Sequence, residues 1–303
     1  MRLYLRQHQS PGDILMLTAA VRDLKAAFPD IRVNVETTAQ DLWANNPLLD
    51  PGVTPSNADR QIELEYPLVH HSSALPYHFV HAFRKELQIQ LGLRIPQGAF
   101  RGDVYLSDAE KEIPAAVRDL GRYWLIDAGY KQDFPLKHWG TDHFRALVSL
   151  LPGIPLVQIG QRSPGHVHPV LPGVTDLTGR TSIRDLIRLM YHAAGVITPV
   201  SFPMHLAAAV PTPDGRLRPA VVLAGGREAA HWEAYPGHVH LSTVGALDCC
   251  RRGGCWRSTP DGRNACAHPI SLGSDRIGQC MTLIPPEHVA HWVRVYHSVP
   301  VVK

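Results

Sequence analysis

No run of apolar residues in this 303-residue chain approaches the roughly 18 to 20 needed to cross a bilayer. The opening Met1-Arg2-Leu3-Tyr4-Leu5-Arg6 passes straight into a structural pattern with no cleavable signal. Both absences point to a cytoplasmic protein. Charge of one sign is scarce as well: a formal net charge of +3 is too small to imply nucleic-acid binding by itself, although 18 histidines make the chain more cationic at acidic pH. There is no low-complexity tract and no fixed-period repeat, and apolar residues make up 45% against 19% charged, which excludes solenoids and long disorder. Cysteine is missing from everything before Cys249, and all five cysteines fall between Cys249 and Cys280. A disulfide framework in a chain of this size would be dispersed and accompanied by a secretion signal, so the clustering points to metal.

What is present is an alternation of strands and helices. Leu3 to Leu5 ends at Ser10-Pro11-Gly12-Asp13, after which Ile14, Leu17, Val21 and Leu24 recur at helical spacing. Ile31 to Val35 and Gln61 to Glu65 read as strands, Phe79 to Leu91 as a helix, and Ser107-Asp108-Ala109-Glu110 as a capping box opening a further helix. A second series follows: strands at 123–127, 155–159, 195–197 and 219–223, with helices at 141–151, 182–192 and 204–210 between them. The chain is long enough for two domains, and the pattern divides it into residues 1–116 and 117–303. The expected fold class is α/β, two doubly wound Rossmann-like domains facing a cleft, with ligands bound beyond the carboxyl ends of the strands. A final helix over Pro286 to His297 is expected to pack back on the junction.

Three segments place chemistry at those strand ends. Gly12-Asp13 puts a glycine where substrate approaches and a carboxylate near a helix N-terminus, which reads either as a general base or as a first-turn cap. Ala128 and Gly129 offer backbone amides to phosphate oxygens, and Lys137 offers charge to a diphosphate or is a surface lysine beside a core tryptophan. Ser201, Met204 and His205 open an Ala-rich helix at the end of another strand, where a sugar diphosphate or simple packing explains them. Arg227, beyond the 219–223 strand, is a further candidate for the nucleotide or acceptor or a solvated turn, and His231, Trp232 and Glu233 are candidates for the same opening.

In order and spacing these segments resemble glycosyltransferase family 9, the ADP-heptose:lipopolysaccharide heptosyltransferases, over most of residues 1–245. The Ser-Pro-Gly-Asp turn resembles the family's opening Gly-Asp motif, Lys137-His138-Trp139 its Lys-x-Trp phosphate motif, and Pro203 to Ala209 its Pro-Met-His-x-Ala-Ala segment. The resemblance implies a GT-B fold, an ADP-heptose or related ADP-sugar donor, a hydroxyl acceptor on a protein, glycan or small molecule, inversion at the anomeric carbon, no metal for the chemistry, and Asp13 as the base. It also assigns Gly12, Ala128, Gly129, Lys137, Ser201, Met204, His205 and Arg227 to the donor side. Val200-Ser201-Phe202 departs from it, standing where the family has an Asp-Ser-Gly turn whose acid recognises donor-sugar hydroxyls.

Among Cys249, Cys250, Cys255, Cys266 and Cys280, four thiolates suit a closed structural Zn or Fe site rather than free buried thiols, with either Cys249 or Cys250 as one ligand. The arrangement resembles the cysteine finger of the autotransporter heptosyltransferases, which favours a protein acceptor, while Arg251, Arg252, Arg257 and Arg263 suit an anionic one. The alternative function is a noncatalytic binding protein on a degenerate scaffold that holds RNA or protein by this basic finger. Self-association stays open.

Overall fold

Alternate residues of the first strand are buried, with Leu3 and Leu5 fully enclosed and Arg2, Tyr4 and Arg6 outward, as the two-residue period of a strand dictates. In the computed structural model, which describes residues 1–65, 75, 77–132, 134–257 and 266–298, this strand β1 (Arg2–Gln7) is the centre of a parallel sheet. It is flanked by β2 (Arg32–Thr37) and β3 (Arg60–Glu63), with Leu3 opposite Val33 and Leu5 opposite both Val35 and Ile62. Helix α1 (Pro11–Ala27) begins with a proline in its first turn, where the missing N–H costs nothing. Helix α2 (Ala82–Leu91) packs against it.

The second sheet is parallel throughout. It comprises β4 (Trp124–Asp127), β5 (Leu156–Ile159), β6 (Thr175–Asp176), β7 (Gly195–Pro199), β8 (Ala220–Gly225) and β9 (His238–Ser242), in spatial order β9-β8-β7-β4-β5-β6. Strands β4, β7 and β8 are almost continuously buried, the signature of a sheet covered on both faces. One face carries α4 (Ile183–His192) and α5 (Phe202–Ala209) in a core continuous with the first sheet. The other packs Trp124, Ile126 and Val221 against Trp139, Phe144 and Leu147 and against Val289, Ala290 and Val293 of the terminal helix. Within that layer α3 (Thr141–Ser149) lies on the terminal helix, and Trp139 donates to the Ile284 carbonyl at 2.9 Å. Gly195 is required where β7 passes β4, because a Cβ there would sit 2.5 Å from the Trp124 ring.

One expected element is shorter than its cap suggests. The capping contacts exist, Glu110 accepting from the Ser107 amide at 2.9 Å and hydroxyl at 3.1 Å, yet only a 3-10 turn, Ala109–Lys111, follows. Nothing in that turn is buried, Pro114 follows closely, and Arg184 holds Glu110 through two bonds of 2.7 Å, so no apolar face prolongs a helix. The strand β9 was not anticipated. Its histidines and polar ends obscure the alternation that would have marked it.

Arg218, 3% exposed, shows how the helix ends on this sheet are satisfied. Its guanidinium donates to the carbonyls of Ala207 (3.1 Å), Val210 (2.8 Å), Pro211 (3.0 Å), Tyr191 (3.3 Å) and Ala193 (3.4 Å) at the C-terminal ends of α4 and α5. Burial lowers its pKa to about 10, still well above neutrality. Arg218→Met strands several buried carbonyls, so chemical denaturation is expected to show a loss of about 3 kcal/mol, against less than about 1 kcal/mol for Arg2→Ala, whose ion pair with Asp59 is exposed. Equal effects would contradict this account of Arg218.

Candidate active site

The carboxyl ends of β1 and of β4, β5, β7 and β8 open on one cleft of about 990 Å3. Its lining includes Gly12 and Asp13 from the β1–α1 turn, Asp127, Gly129, Phe134 and Lys137 after β4, Val200, Ser201 and His205 around the start of α5, and Glu228, Trp232 and Glu233 after β8. The N-terminal turns of α1 and α5 meet here. A Cβ on Gly12 would lie 3.3 Å from the His205 ring and 3.8 Å from the Phe202 Cα, so this glycine permits the approach of the two helices.

Asp13 unites both readings of its motif. Its Oδ2 accepts the Ser10 amide at 3.1 Å as a cap, and its side chain lines the cleft. Desolvation raises the carboxyl to about 7, against the downward pull of the Ser10 N–H and of Lys137. A carboxylate balanced near neutrality is suited to taking a proton from a hydroxyl.

Lys137 is fixed from two sides. Its Nζ donates to the Val200 carbonyl at 2.9 Å and lies 2.9 Å from Glu228 Oε1. Glu233 lies close enough to Glu228, Lys137 and Asp13 for all three to act on its charge, and burial first, then Glu228, pushes its carboxyl well above the usual range. His205 Nε2 is 3.5 Å from Glu233 Oε2, a distance that would make an ion pair if both groups were charged. Burial drives the histidine well below its ordinary value and the acid well above its own, so we read two neutral groups. His205 Nδ1 is bonded to the Tyr235 hydroxyl at 2.8 Å, which in turn touches Met16 Sδ at 3.2 Å on α1.

The remaining candidates separate. Ser201 reaches the cleft and donates to Asp127 Oδ2 at 2.9 Å. Ala128 and Met204 are fully buried and contribute no side chain to the cleft, while Gly129 lines it beside His168, whose ring would be 2.2 Å from an added Cβ. Arg227 points away from the cleft: 2% exposed, its guanidinium is stacked between Phe134 (4.6 Å) and Trp256 (4.5 Å) and lines the cysteine cavity instead. Asp127, His168 and Glu228 were not singled out from the sequence. Asp127 ends a strand and Glu228 follows one, so both carried a positional signal, whereas His168 carried none.

All five cysteines line a second cavity, of about 30 Å3, behind β8. The antiparallel pair β10 (Pro269–Leu272) and β11 (Asp275–Gly278) brings Cys266 and Cys280 together, with Gly278 packed beside both sulfurs. Cys255 donates its amide to the Gly226 carbonyl at 3.0 Å, and a Cβ on Gly226 would fit tightly, 3.1 Å from Cys250 Sγ and 3.2 Å from Cys280 Cβ. Burial first, then the neighbouring thiols, raises Cys249 and Cys280 to about 11. As they stand, no three His, Cys, Asp or Glu side chains among the described residues are grouped closely enough to hold an ion. Arg263 lies outside the described residues. No described helix is long and apolar enough to cross a membrane.

Residues 60–214 match the family model for glycosyltransferase family 9 (heptosyltransferase). The match contains Lys137 and His205 and stops short of Asp13 on one side and the cysteines on the other. The chain is similar in structure to a family 9 glycosyltransferase of Veillonella parvula, at 15% identity, TM-score 0.67 and coverage of 97% of this chain and 96% of that one. It is similar to the heptosyltransferase WaaC of Escherichia coli, solved with ADP, at 16% identity, TM-score 0.60 and coverage of 98% and 100%. It is also similar to TibC of enterotoxigenic E. coli, a dodecameric iron-containing heptosyltransferase solved with ADP-D-β-D-heptose, at 18% identity, TM-score 0.65 and coverage of 98% and 76%. These likenesses identify the fold as GT-B. No curated protein sequence matches the chain significantly.

The Lys137–Glu228 contact sets a test of the free protein. Lys137→Met leaves a buried carboxylate without its partner, and Glu228→Gln in the same chain removes that charge. Unfolding free energies of the two single variants and the double variant are expected to show a coupling of about 1 to 3 kcal/mol, whereas additive effects would mean that the pair does not form.

Proposed function

Because the chain belongs to glycosyltransferase family 9, we propose that it transfers a heptose or a related sugar from an ADP-sugar to a hydroxyl acceptor, with Asp13 as the base. The observation that carries this reading is the juxtaposition of Asp13, poised near neutrality, and Lys137 across one cleft. The ADP-heptose donor is carried over from WaaC and TibC, solved with ADP and ADP-heptose respectively. Lys137 is assigned to the diphosphate, where its charge offsets that developing on the departing ADP. Asp13 takes the acceptor proton as the hydroxyl oxygen bonds to the anomeric carbon and the bond to the ADP oxygen breaks. One such displacement inverts the anomeric centre. Gly129 and Ser201 border the phosphate side, and the neutral His205 supports the α1–α5 contact through Tyr235. The division at residues 116 and 117 is retained, with the acceptor on the first domain.

The cysteine cavity suits a structural ion: its lining thiols are soft ligands, and all five meet around one small cavity. Cys255, Cys266 and Cys280 with one of Cys249 and Cys250 would hold Zn or Fe, iron being the metal of TibC. An ion closed in by four thiolates supplies structural cross-linking and takes no part in transfer. Elemental analysis of the purified protein is expected to find about one ion per chain, lost in Cys266→Ser combined with Cys280→Ser; undiminished metal in that variant would exclude the site.

The base is tested without knowing the acceptor, because water can act as a slow one. Release of ADP from ADP-heptose is expected to rise with pH through about 7, since the ionised Asp13 is the active form and its folded-state pKa lies there. In Asp13→Asn the release falls by about 100-fold or more and the limb disappears, while ADP binding persists. Unchanged release in that variant would remove Asp13 from the chemistry.

A further inference from the structure

Glu228 brings an unused acceptor to the cleft. It is 2% exposed and lines the cavity, with Oε1 engaged by Lys137 at 2.9 Å and 3.4 Å from Arg227 Nε. Its Oε2 has no hydrogen-bond partner among the described residues. A carboxylate oxygen so deeply buried is costly unless a donor reaches it. No neighbour reaches it: neither the Glu233 carboxyl nor the His240 ring beside Glu228 makes a hydrogen bond to Oε2, Val200 is aliphatic and 3% exposed, and the Ser201 hydroxyl is given to Asp127. Because Glu228 shares Lys137 with whatever anion that lysine holds, a group attached to that anion lies within reach of the free oxygen. A sugar is dense in hydroxyl donors, and a hydrogen bond to a carboxylate is among the stronger neutral-to-charged contacts.

Resting on the ADP-sugar reading above, we propose that Glu228 recognises the donor sugar, its Oε2 accepting from a hydroxyl of the transferred sugar while its Oε1 keeps Lys137 directed at the adjoining phosphate. Glu233, neutral beside it, lowers the repulsion that a second ionised acid would add. Selectivity among ADP-sugars then follows from whether a hydroxyl meets Oε2, since a sugar without one leaves the carboxylate oxygen buried and unpaired.

The test compares binding of ADP, ADP-heptose, ADP-mannose and ADP-glucose by calorimetry to the full chain, to Glu228→Gln and to Glu228→Asp, with thermal unfolding to confirm that each variant is folded. The unaltered protein is expected to bind at least one ADP-sugar about tenfold more tightly than ADP. Glu228→Gln loses that advantage while ADP binding is retained or tightened, because the competing charge on Lys137 is gone. Glu228→Asp keeps the charge but withdraws the oxygen by one methylene, so it loses the sugar advantage without the gain for ADP. A Gln variant that keeps the full preference for the sugar overturns the proposal and leaves the ADP-sugar reading intact. Equal affinity of the unaltered protein for ADP and all three sugars also overturns it, and failure to bind ADP at all removes the reading on which it rests.

Discussion

Three strand ends of the second sheet converge on the ammonium group of Lys137. The lysine follows β4, the carbonyl it donates to belongs to Val200 after β7, and the carboxylate it pairs with is Glu228 after β8. Parallel pairing of β4 with β7 and of β7 with β8 sets the spacing of these ends, so the geometry of the cation is a property of the sheet rather than of a loop. Loss of the contact would leave Glu228 buried with only the longer contact to Arg227 at 3.4 Å.

The cleft is lined by two lysines, Lys131 and Lys137, and four acids, Asp13, Asp127, Glu228 and Glu233. Only Glu228 has Lys137 directly on it, and desolvation raises the other three. Their carboxyls therefore differ in kind: Glu233 is held neutral, Asp13 stands near neutrality, and Glu228 is paired. Environments that push like groups apart in this way are how a site assigns acid, base and ligand roles to one residue type. The cysteine segment reaches the same place from behind, because Gly225 to Glu228 is bonded to Thr243, Cys255 and Trp256 on one side while Glu228 faces Lys137 on the other. Arg227, stacked between Phe134 and Trp256, joins the two.

Much of this was legible in the sequence. Periodicity located β1, α1, β4, α4, β7 and α5, and the rule that ligands meet the carboxyl ends of parallel strands located the cleft. The five cysteines, clustered in the sequence, line one cavity, while among the described residues no three of their side chains are grouped closely enough to hold an ion. The parts that could not be read depend on contacts between residues distant along the chain. Nothing at Arg227-Glu228 reveals which of the two side chains faces the cleft, since that depends on Trp256 and Phe134 capturing the guanidinium. Likewise His168 carries no periodic signal and reaches Gly129 because His166–Val167 pairs antiparallel with Tyr130–Lys131. The capping box at Ser107 formed as read, and the helix beyond it lacked an apolar face to sustain it.

The central claim is that this cleft binds an adenosine diphosphate sugar through Lys137. Calorimetry with ADP, UDP, GDP and CDP tests it before any acceptor is known. Micromolar binding of ADP in preference to the other three, lost by about tenfold or more in Lys137→Met, is the predicted result. No binding of any nucleotide, together with salt-sensitive binding of RNA, would contradict it and favour a noncatalytic role for the scaffold.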